Sequence, residues 1–166
     1  MTDGVRIRAA VPGDAGAVAR MLAALADELG YAGRFASTEA TIATYGHGER
    51  PLFATFIAEA ETPVGFALSF PHFSTMRALP GVYVQDLWTA PEVRGQGLGA
   101  ALLAEVAEVA ARDWNAAYMA LSVHAHNAAA NRFYAGLGFG EVPDERAMVL
   151  DGPGFAALAD PRRFIP

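Results

Sequence analysis

A glycine-rich run with the composition of a phosphate-binding loop is formed by Arg94, Gly95, Gln96, Gly97, Leu98 and Gly99. Glycines at alternate positions allow the backbone to approach an anion closely, and Arg94 adds a positive charge. The amides that open the following helix have no intrahelical partner and lie at the positive end of the helix dipole. Because the run stands between a strand-like segment and a long stretch rich in alanine and leucine, it predicts a pyrophosphate site at a strand-to-helix turn.

A dinucleotide-binding fold is the first alternative, because residues 95–100 also satisfy the relaxed pattern G-x-G-x-x-A. In such folds the loop follows the first strand, whereas here more than half of the chain precedes it. The next predicted strand, residues 117–123, leads to His124 rather than to an acid that could bind a ribose. The chain that remains is also too short for the second half of a doubly wound sheet, so this alternative is disfavoured.

A second motif lies downstream at residues 127–139, which read Asn-Ala-Ala-Ala-Asn-Arg-Phe-Tyr-Ala-Gly-Leu-Gly-Phe. Asn127 is a favourable helix N-cap, Gly138 is a favourable helix stop, and apolar residues between them recur at helical spacing. The segment is therefore predicted to form a short helix with Tyr134 at the edge of its apolar face.

The two motifs together resemble the GNAT family of N-acetyltransferases. Its signatures are Arg/Gln-x-x-Gly-x-Gly/Ala, matched here by Arg94, Gly97 and Gly99, and Asn-x-x-Ala-x-x-Phe-Tyr-x-x-x-Gly-Phe, matched by residues 127–139. The resemblance implies an α/β (α+β) fold with a central mixed, mostly antiparallel sheet flanked by helices. It further implies one domain spanning residues 1–166, acetyl-CoA as cosubstrate, and a homodimer.

Residue periodicity predicts helices at residues 12–30, 37–45 and 98–111. Ser37 is predicted to cap the second of these helices, and Asp27, Glu28 and Tyr31 are predicted to lie on the loop before it. Strands are predicted at residues 5–9, 52–60, 64–70, 82–89 and 117–123, with short closing strands at 139–142 and 146–150.

The resemblance assigns the cofactor side of the site residue by residue. The strand before the loop would pair with the pantetheine arm through Leu87, Trp88 and Thr89. Asn127 matches a residue that contacts the cofactor arm, and it would also serve as an N-cap. Tyr134 matches the general acid, a phenol whose pKa lies above that of a thiol and which returns a proton to the coenzyme A thiolate. The competing interpretation of Tyr134 is a core tyrosine with a satisfied hydroxyl.

The acceptor side is marked by a narrower resemblance, at residues 72–75 and 80–88, to the diamine and polyamine acetyltransferases, including thialysine-type enzymes. That branch has an acid at the position of Asp86, which is our candidate for the base that deprotonates the amine. It usually has a glutamate where this chain has Gln85, a difference that weakens the case for polyamines. Gln85, Glu28 and Tyr31 are further candidates for binding the amine. Glu28, Asp144 and Glu145 are weaker candidates than Asp86, and a solvated surface carboxylate is the competing interpretation of each.

Composition narrows the function classes. The net charge of -6 disfavours nucleic-acid and anionic membrane partners and favours a cationic acceptor. Without cysteine there is no thiolate metal site and no cysteine nucleophile, so acetyl transfer is expected to be direct. The spacing of His72, His124 and His126 fits no metal site, and no metal is expected. Absence of a signal-peptide pattern and of a membrane span predicts a cytoplasmic protein.

The sequence therefore predicts an acetyl-CoA-dependent N-acetyltransferase that acts on a primary amine of a small molecule, either diamine-like or amino-acid-like. Two alternatives stay open. One is a non-catalytic acetyl-CoA sensor, and the other is a protein or peptide N-acetyltransferase. A closed acidic pocket near Asp86 and Glu28 would favour the small amine, whereas an open groove would favour a protein acceptor.

Overall fold

Five strands form one sheet in the order in which they occur along the chain. They are β1 (Arg6–Ala9), β2 (Ala54–Glu59), β3 (Pro63–Ser74), β4 (Leu79–Thr89) and β5 (Met119–Leu121). Neighbouring strands are antiparallel except β4 and β5, which are parallel. The predicted mixed, mostly antiparallel sheet is therefore confirmed, and the dinucleotide alternative, which requires a parallel doubly wound sheet, is excluded.

The computed structural model describes residues 4–143 and 147–159. The chain falls into two compact units, Met1–Asn127 and Ala128–Pro166. The sheet lies in the first unit together with three helices, α1 (Ala15–Glu28), α2 (Glu39–His47) and α3 (Leu98–Trp114). That residues 1–166 act as one domain stays a prediction.

A β-bulge interrupts the pairing of β3 with β4. Leu68 lies opposite Asp86 and Ser69 opposite Val84, so Gln85 is an extra residue without a partner of its own. A bulge of this kind bends the strand and increases its twist. The parallel pairing with β5 covers Val82–Val84 and is not continued at residues 85–89 within the described part of the chain. Beyond the bulge, β4 is thus paired through one edge and its other edge is open.

The two faces of the sheet are covered by different helices. Phe66 and Leu68 pack with α1 and α2 in a buried apolar cluster. Side chains alternate along a strand, so Ala67 between them points to the opposite face, where α3 packs against β2, β3 and β4. Leu102 and Val106 of α3 are almost completely buried. These two apolar layers hold β4 between them and determine where its carboxyl end lies.

The second unit contains α4 (Ala128–Gly136) and α5 (Gly152–Ala159). After α4 the chain turns at Gly138, which has a left-handed φ of 90°, and the amide of Phe139 donates a hydrogen bond to the carbonyl of Tyr134 at 3.1 Å. Glycine is the residue expected at this position, because other residues adopt a left-handed φ at a cost. The predicted stop at Gly138 agrees with this turn.

Several predicted boundaries were wrong. Thr38, rather than Ser37, caps α2, and its hydroxyl accepts a hydrogen bond from the amide of Thr41 at 3.2 Å. Asp27 and Glu28 belong to the last turn of α1 rather than to a loop. Strand β5 has three residues instead of seven, and all three pair with β4, at Val82–Val84.

The two predicted closing strands are not found. Residues 139–142 and 147–150 have no strand structure, and Arg146, Asp144 and Glu145 lie outside the described residues. Helix α5 was not predicted, because its segment is short and carries two glycines and a proline, which are poor helix formers.

Candidate active site

The glycine-rich loop, the candidate anion cradle, joins a short 3₁₀ turn (Pro91–Val93) to α3. Gly95 and Gly97 have left-handed φ values of 74° and 83°, and a Cβ atom at either position would meet no other atom within 4 Å. Gly97 is the N-cap of α3, and glycine supplies no side-chain cap for the first-turn amides. These amides have no acceptor within the helix and lie at the positive end of its 17 residues, where an anion would be favoured.

Arg94 is held by protein groups on both sides of its guanidinium. Its Nε donates to the carbonyl of Thr89 at 2.9 Å, and its Nη2 donates to both carboxylate oxygens of Glu28 at 2.8 and 2.9 Å. Trp88 Nε1 donates to the same carboxylate at 3.0 Å. Partial burial would raise the pKa of Glu28, but these donors outweigh it and the pKa lies below its usual range. The last turn of α1 is thereby tied to the end of β4 and to the loop.

The predicted cofactor strand is the open segment of β4. Leu87, Trp88 and Thr89 pair with Ala67, Phe66 and Gly65 of β3 through one edge only. The other edge lies beyond the last pairing with β5 at Val84. An extended chain could therefore add to this edge by backbone hydrogen bonding, as in β-strand addition.

A cavity of about 820 Å³ lies over the bulge in the first unit. Its walls come from α1, the α1–α2 connection, α2, and strands β3 and β4, and most of its lining is apolar. Gln85 and Asp86 both line it. Consecutive residues on a regular strand would point to opposite faces, so the bulge is what allows both to face one space. Burial raises the pKa of the Asp86 carboxyl.

Charge in the cavity differs from that of the closed acidic pocket near Asp86 and Glu28 that would have favoured a small amine. Among the described residues that line it, two carry charge, the carboxylate of Asp86 and the guanidinium of Arg34. Glu28 does not line it, because its carboxylate is engaged by Arg94 and Trp88. Tyr31 lines the cavity as expected for an acceptor-site residue, and its ring lies beneath the Arg34 guanidinium at 4.6 Å.

Arg34 was not identified from the sequence. It lies in a short 3₁₀ turn (Ala32–Arg34) after α1, where a basic residue is typical of solvent-exposed chain. Its position against Tyr31, three residues earlier, depends on how that turn folds back over the sheet. The signal that could have drawn attention to it is the pair of an aromatic and a cation at i and i+3 in a short connection.

Tyr134 lies in α4 of the second unit. Its ring makes edge contacts with Phe133 and Phe139, with centroid distances of 5.1 and 5.5 Å. Burial raises the pKa of its hydroxyl, so the phenol is protonated at neutral pH. Asn127 immediately precedes α4, and its backbone amide donates a hydrogen bond to the carbonyl of His124 at 2.8 Å.

Within the described residues no helix is both long and apolar enough to cross a bilayer.

Comparisons with known proteins agree with this architecture. The family model described as Acetyltransferase (GNAT) family matches residues 19–139, which include both sequence motifs. A thialysine N-epsilon-acetyltransferase of Bos taurus is 31% identical over 143 residues, covering 81% of this chain and 83% of that protein. The Sus scrofa protein of the same name is 33% identical over 115 residues, covering 64% of this chain and 67% of its own.

Solved structures show the same fold. An integron cassette protein from the mobile metagenome of V. cholerae superposes with a TM-score of 0.76 at 21% identity, covering 95% of this chain and 98% of its own. An aminoglycoside acetyltransferase from an uncultured soil metagenomic sample superposes with a TM-score of 0.75 at 14% identity, covering 90% and 99%. With its sheet, its glycine loop and its family match in agreement, the chain belongs to the GNAT family and is an N-acetyltransferase.

Proposed function

We propose that this protein transfers an acetyl group from acetyl-CoA directly to a primary amine of a small molecule. The observation that carries the proposal is the cavity over the β4 bulge, in which a half-buried carboxylate, Asp86, lies on the strand that leads into the anion cradle. Its volume of about 820 Å³ is in the range of small-molecule sites. The relatives named for thialysine acetylation support the same acceptor class.

The residues present fit acetyl-CoA. The open amides around Gly97 would hold the pyrophosphate, and the free edge of residues 87–89 would pair with the pantetheine arm. Gly95, Gln96, Leu98 and Gly99 complete the loop, and Asn127 is proposed to contact the arm. Glu28 and Thr89 accept hydrogen bonds from the Arg94 guanidinium. We therefore assign Arg94 two roles, holding the loop in place and attracting phosphate.

The bound thioester supplies an acyl carbon that an amine can attack. Asp86 accepts a proton from the substrate ammonium, directly or through water, and the free amine forms the N–C bond while the C–S bond breaks. Tyr134 donates its proton to the departing sulfur and is reprotonated by the second proton that the nitrogen loses. One proton is released overall, and no covalent enzyme intermediate is needed.

Coenzyme A release measured with acetyl-CoA and a panel of amines tests the proposal. The panel contains thialysine, lysine, putrescine, spermidine and an aminoglycoside. We expect turnover on at least one of them. Binding of acetyl-CoA without turnover on any acceptor would contradict the proposal and favour a peptide acceptor or a sensor.

The homodimer and the cytoplasmic location stay predictions. Sedimentation of the purified protein checks the homodimer.

Gly97→Ala is expected to weaken acetyl-CoA binding. A left-handed φ costs a residue with a Cβ atom roughly 1–2 kcal/mol, so the loop would lose its cradle conformation in part. This corresponds to a rise in Kd of roughly 5- to 30-fold, measured by titration calorimetry with coenzyme A. Gly13→Ala is the matched control, because Gly13 is also in open space but has no left-handed φ. An unchanged Kd in Gly97→Ala would place the pyrophosphate elsewhere.

A further inference from the structure

Among the described residues that line the cavity over the β4 bulge, one side chain is positively charged and one is negatively charged. Asp86 lies on β4, at the sheet. Arg34 lies on the 3₁₀ turn between α1 and α2, which forms a different wall. The other polar side chains that line it, those of Tyr31, Ser37, Thr41 and Gln85, are uncharged. The space is therefore dipolar, and it is complementary to a ligand with a cation at one end and an anion at the other.

Arg34 is available for such a ligand. Among the described residues it takes part in no ion pair, in contrast to Arg8, Arg94 and Arg112. Its guanidinium carbon lies 4.6 Å from the centroid of the Tyr31 ring, a cation–π contact, and its side chain makes no hydrogen bond to another described residue. A guanidinium presents a planar fork of N–H donors that matches the two oxygens of a carboxylate. The turn thus supplies an exposed carboxylate receptor.

We propose that the acceptor carries a carboxylate at the end opposite its reacting amine, and that Arg34, supported by Tyr31, binds that carboxylate while Asp86 faces the amine. The acceptor class is then amino acids with a side-chain amine, rather than diamines or polyamines. This inference rests on the proposed acetyltransferase activity and narrows its substrate.

Charge repulsion explains why polyamines are disfavoured. A diamine that places one ammonium at Asp86 would bring its second ammonium toward Arg34, and the described residues that line the cavity include no second carboxylate to receive it. Gln85, a neutral amide next to Asp86, supplies no additional negative charge. Like charges brought close together repel, so Arg34 acts against diamines as well as for amino acids.

Paired acceptors that differ only in the carboxylate test the proposal. Thialysine is compared with bis(2-aminoethyl) sulfide, and lysine with cadaverine, in coenzyme A release assays. For wild type we expect kcat/KM to be higher for each amino acid than for its decarboxylated partner. Arg34→Gln should raise KM for the amino acids by roughly 10- to 100-fold with little change in kcat, and leave the diamines unchanged or improved. Arg34→Lys should restore part of the loss.

Arg77→Gln is the matched control. Its guanidinium also lies over a tyrosine ring, that of Tyr118 at 5.2 Å, but neither residue lines the cavity. Arg34→Glu makes the cavity charge wholly negative and should invert the preference toward diamines. Equal kcat/KM for amino acids and diamines in wild type, or an Arg34→Gln effect shared equally by both members of a pair, would overturn the proposal.

Binding measurements separate this inference from the acetyltransferase proposal. Titration calorimetry of wild type and Arg34→Gln with thialysine, in the presence of coenzyme A, reports carboxylate recognition without turnover. Arg34-dependent binding with no coenzyme A release would keep the carboxylate receptor and reject the proposed reaction. Turnover on diamines with no dependence on Arg34 would keep the reaction and reject the receptor.

Discussion

Tyr134→Phe is expected to lower kcat by at least about 100-fold while the Kd for acetyl-CoA changes less than about threefold. The substitution removes one hydroxyl and keeps the ring that packs between Phe133 and Phe139. Burial raises the pKa of this phenol, so the group is protonated throughout the neutral range and can serve as a proton donor. Stopped-flow or steady-state coenzyme A release gives kcat, and calorimetry gives Kd.

The matched control for Tyr134→Phe is Tyr118→Phe. That hydroxyl is bonded to His72 Nδ1 at 2.6 Å and has no proposed part in catalysis. We expect its kcat to stay within about threefold of wild type. If Tyr134→Phe lost cofactor affinity and kcat to the same extent, Tyr134 would have a binding or folding role, and the competing interpretation of a core tyrosine would be preferred.

Asp86→Asn is expected to lower kcat/KM by at least about 100-fold, because the amide cannot accept the proton of the ammonium. In wild type, activity should fall as the pH drops through the raised pKa of Asp86, above its ordinary value of 3.8. The asparagine variant should lack this acidic limb. The measurement is the pH dependence of kcat/KM for both proteins with one acceptor.

Thermal unfolding distinguishes a lost base from a lost fold. Because burial raises the pKa of Asp86, the folded protein binds the carboxyl proton of Asp86 more tightly than the unfolded chain does. Ionisation of Asp86 therefore destabilises the fold as the pH rises through the pKa values of the unfolded and folded states. Asp86→Asn removes this cost, so its Tm at neutral pH should equal or exceed that of wild type. Asp27→Asn, at an exposed position of α1, is the control. A large drop in Tm together with lost activity would assign Asp86 to structure.

The sequence by itself determined those features of this protein that depend on local chemistry. The left-handed φ values at Gly95 and Gly97 follow from the need of a tight strand-to-helix turn for residues without Cβ. The length of α3 follows from its apolar spacing, although it runs three residues further, to Trp114, before Asn115 ends it in a left-handed cap. The spacing of the two motifs was enough to predict the family and the fold.

Only the tertiary structure decided which distant side chains share a space. The bulge opposite Leu68 and Ser69 depends on pairing between two strands, and it is what brings Gln85 and Asp86 to one cavity. Glu28 was predicted to bind substrate, whereas its carboxylate contacts Arg94 and Trp88, which are 66 and 60 residues away. Arg34 lines the cavity, but its spacing from Tyr31 gave no indication of which space the pair would face. Periodicity reports which face of its own element a residue occupies, but contacts between elements depend on register, twist and packing, and these are set by the whole fold.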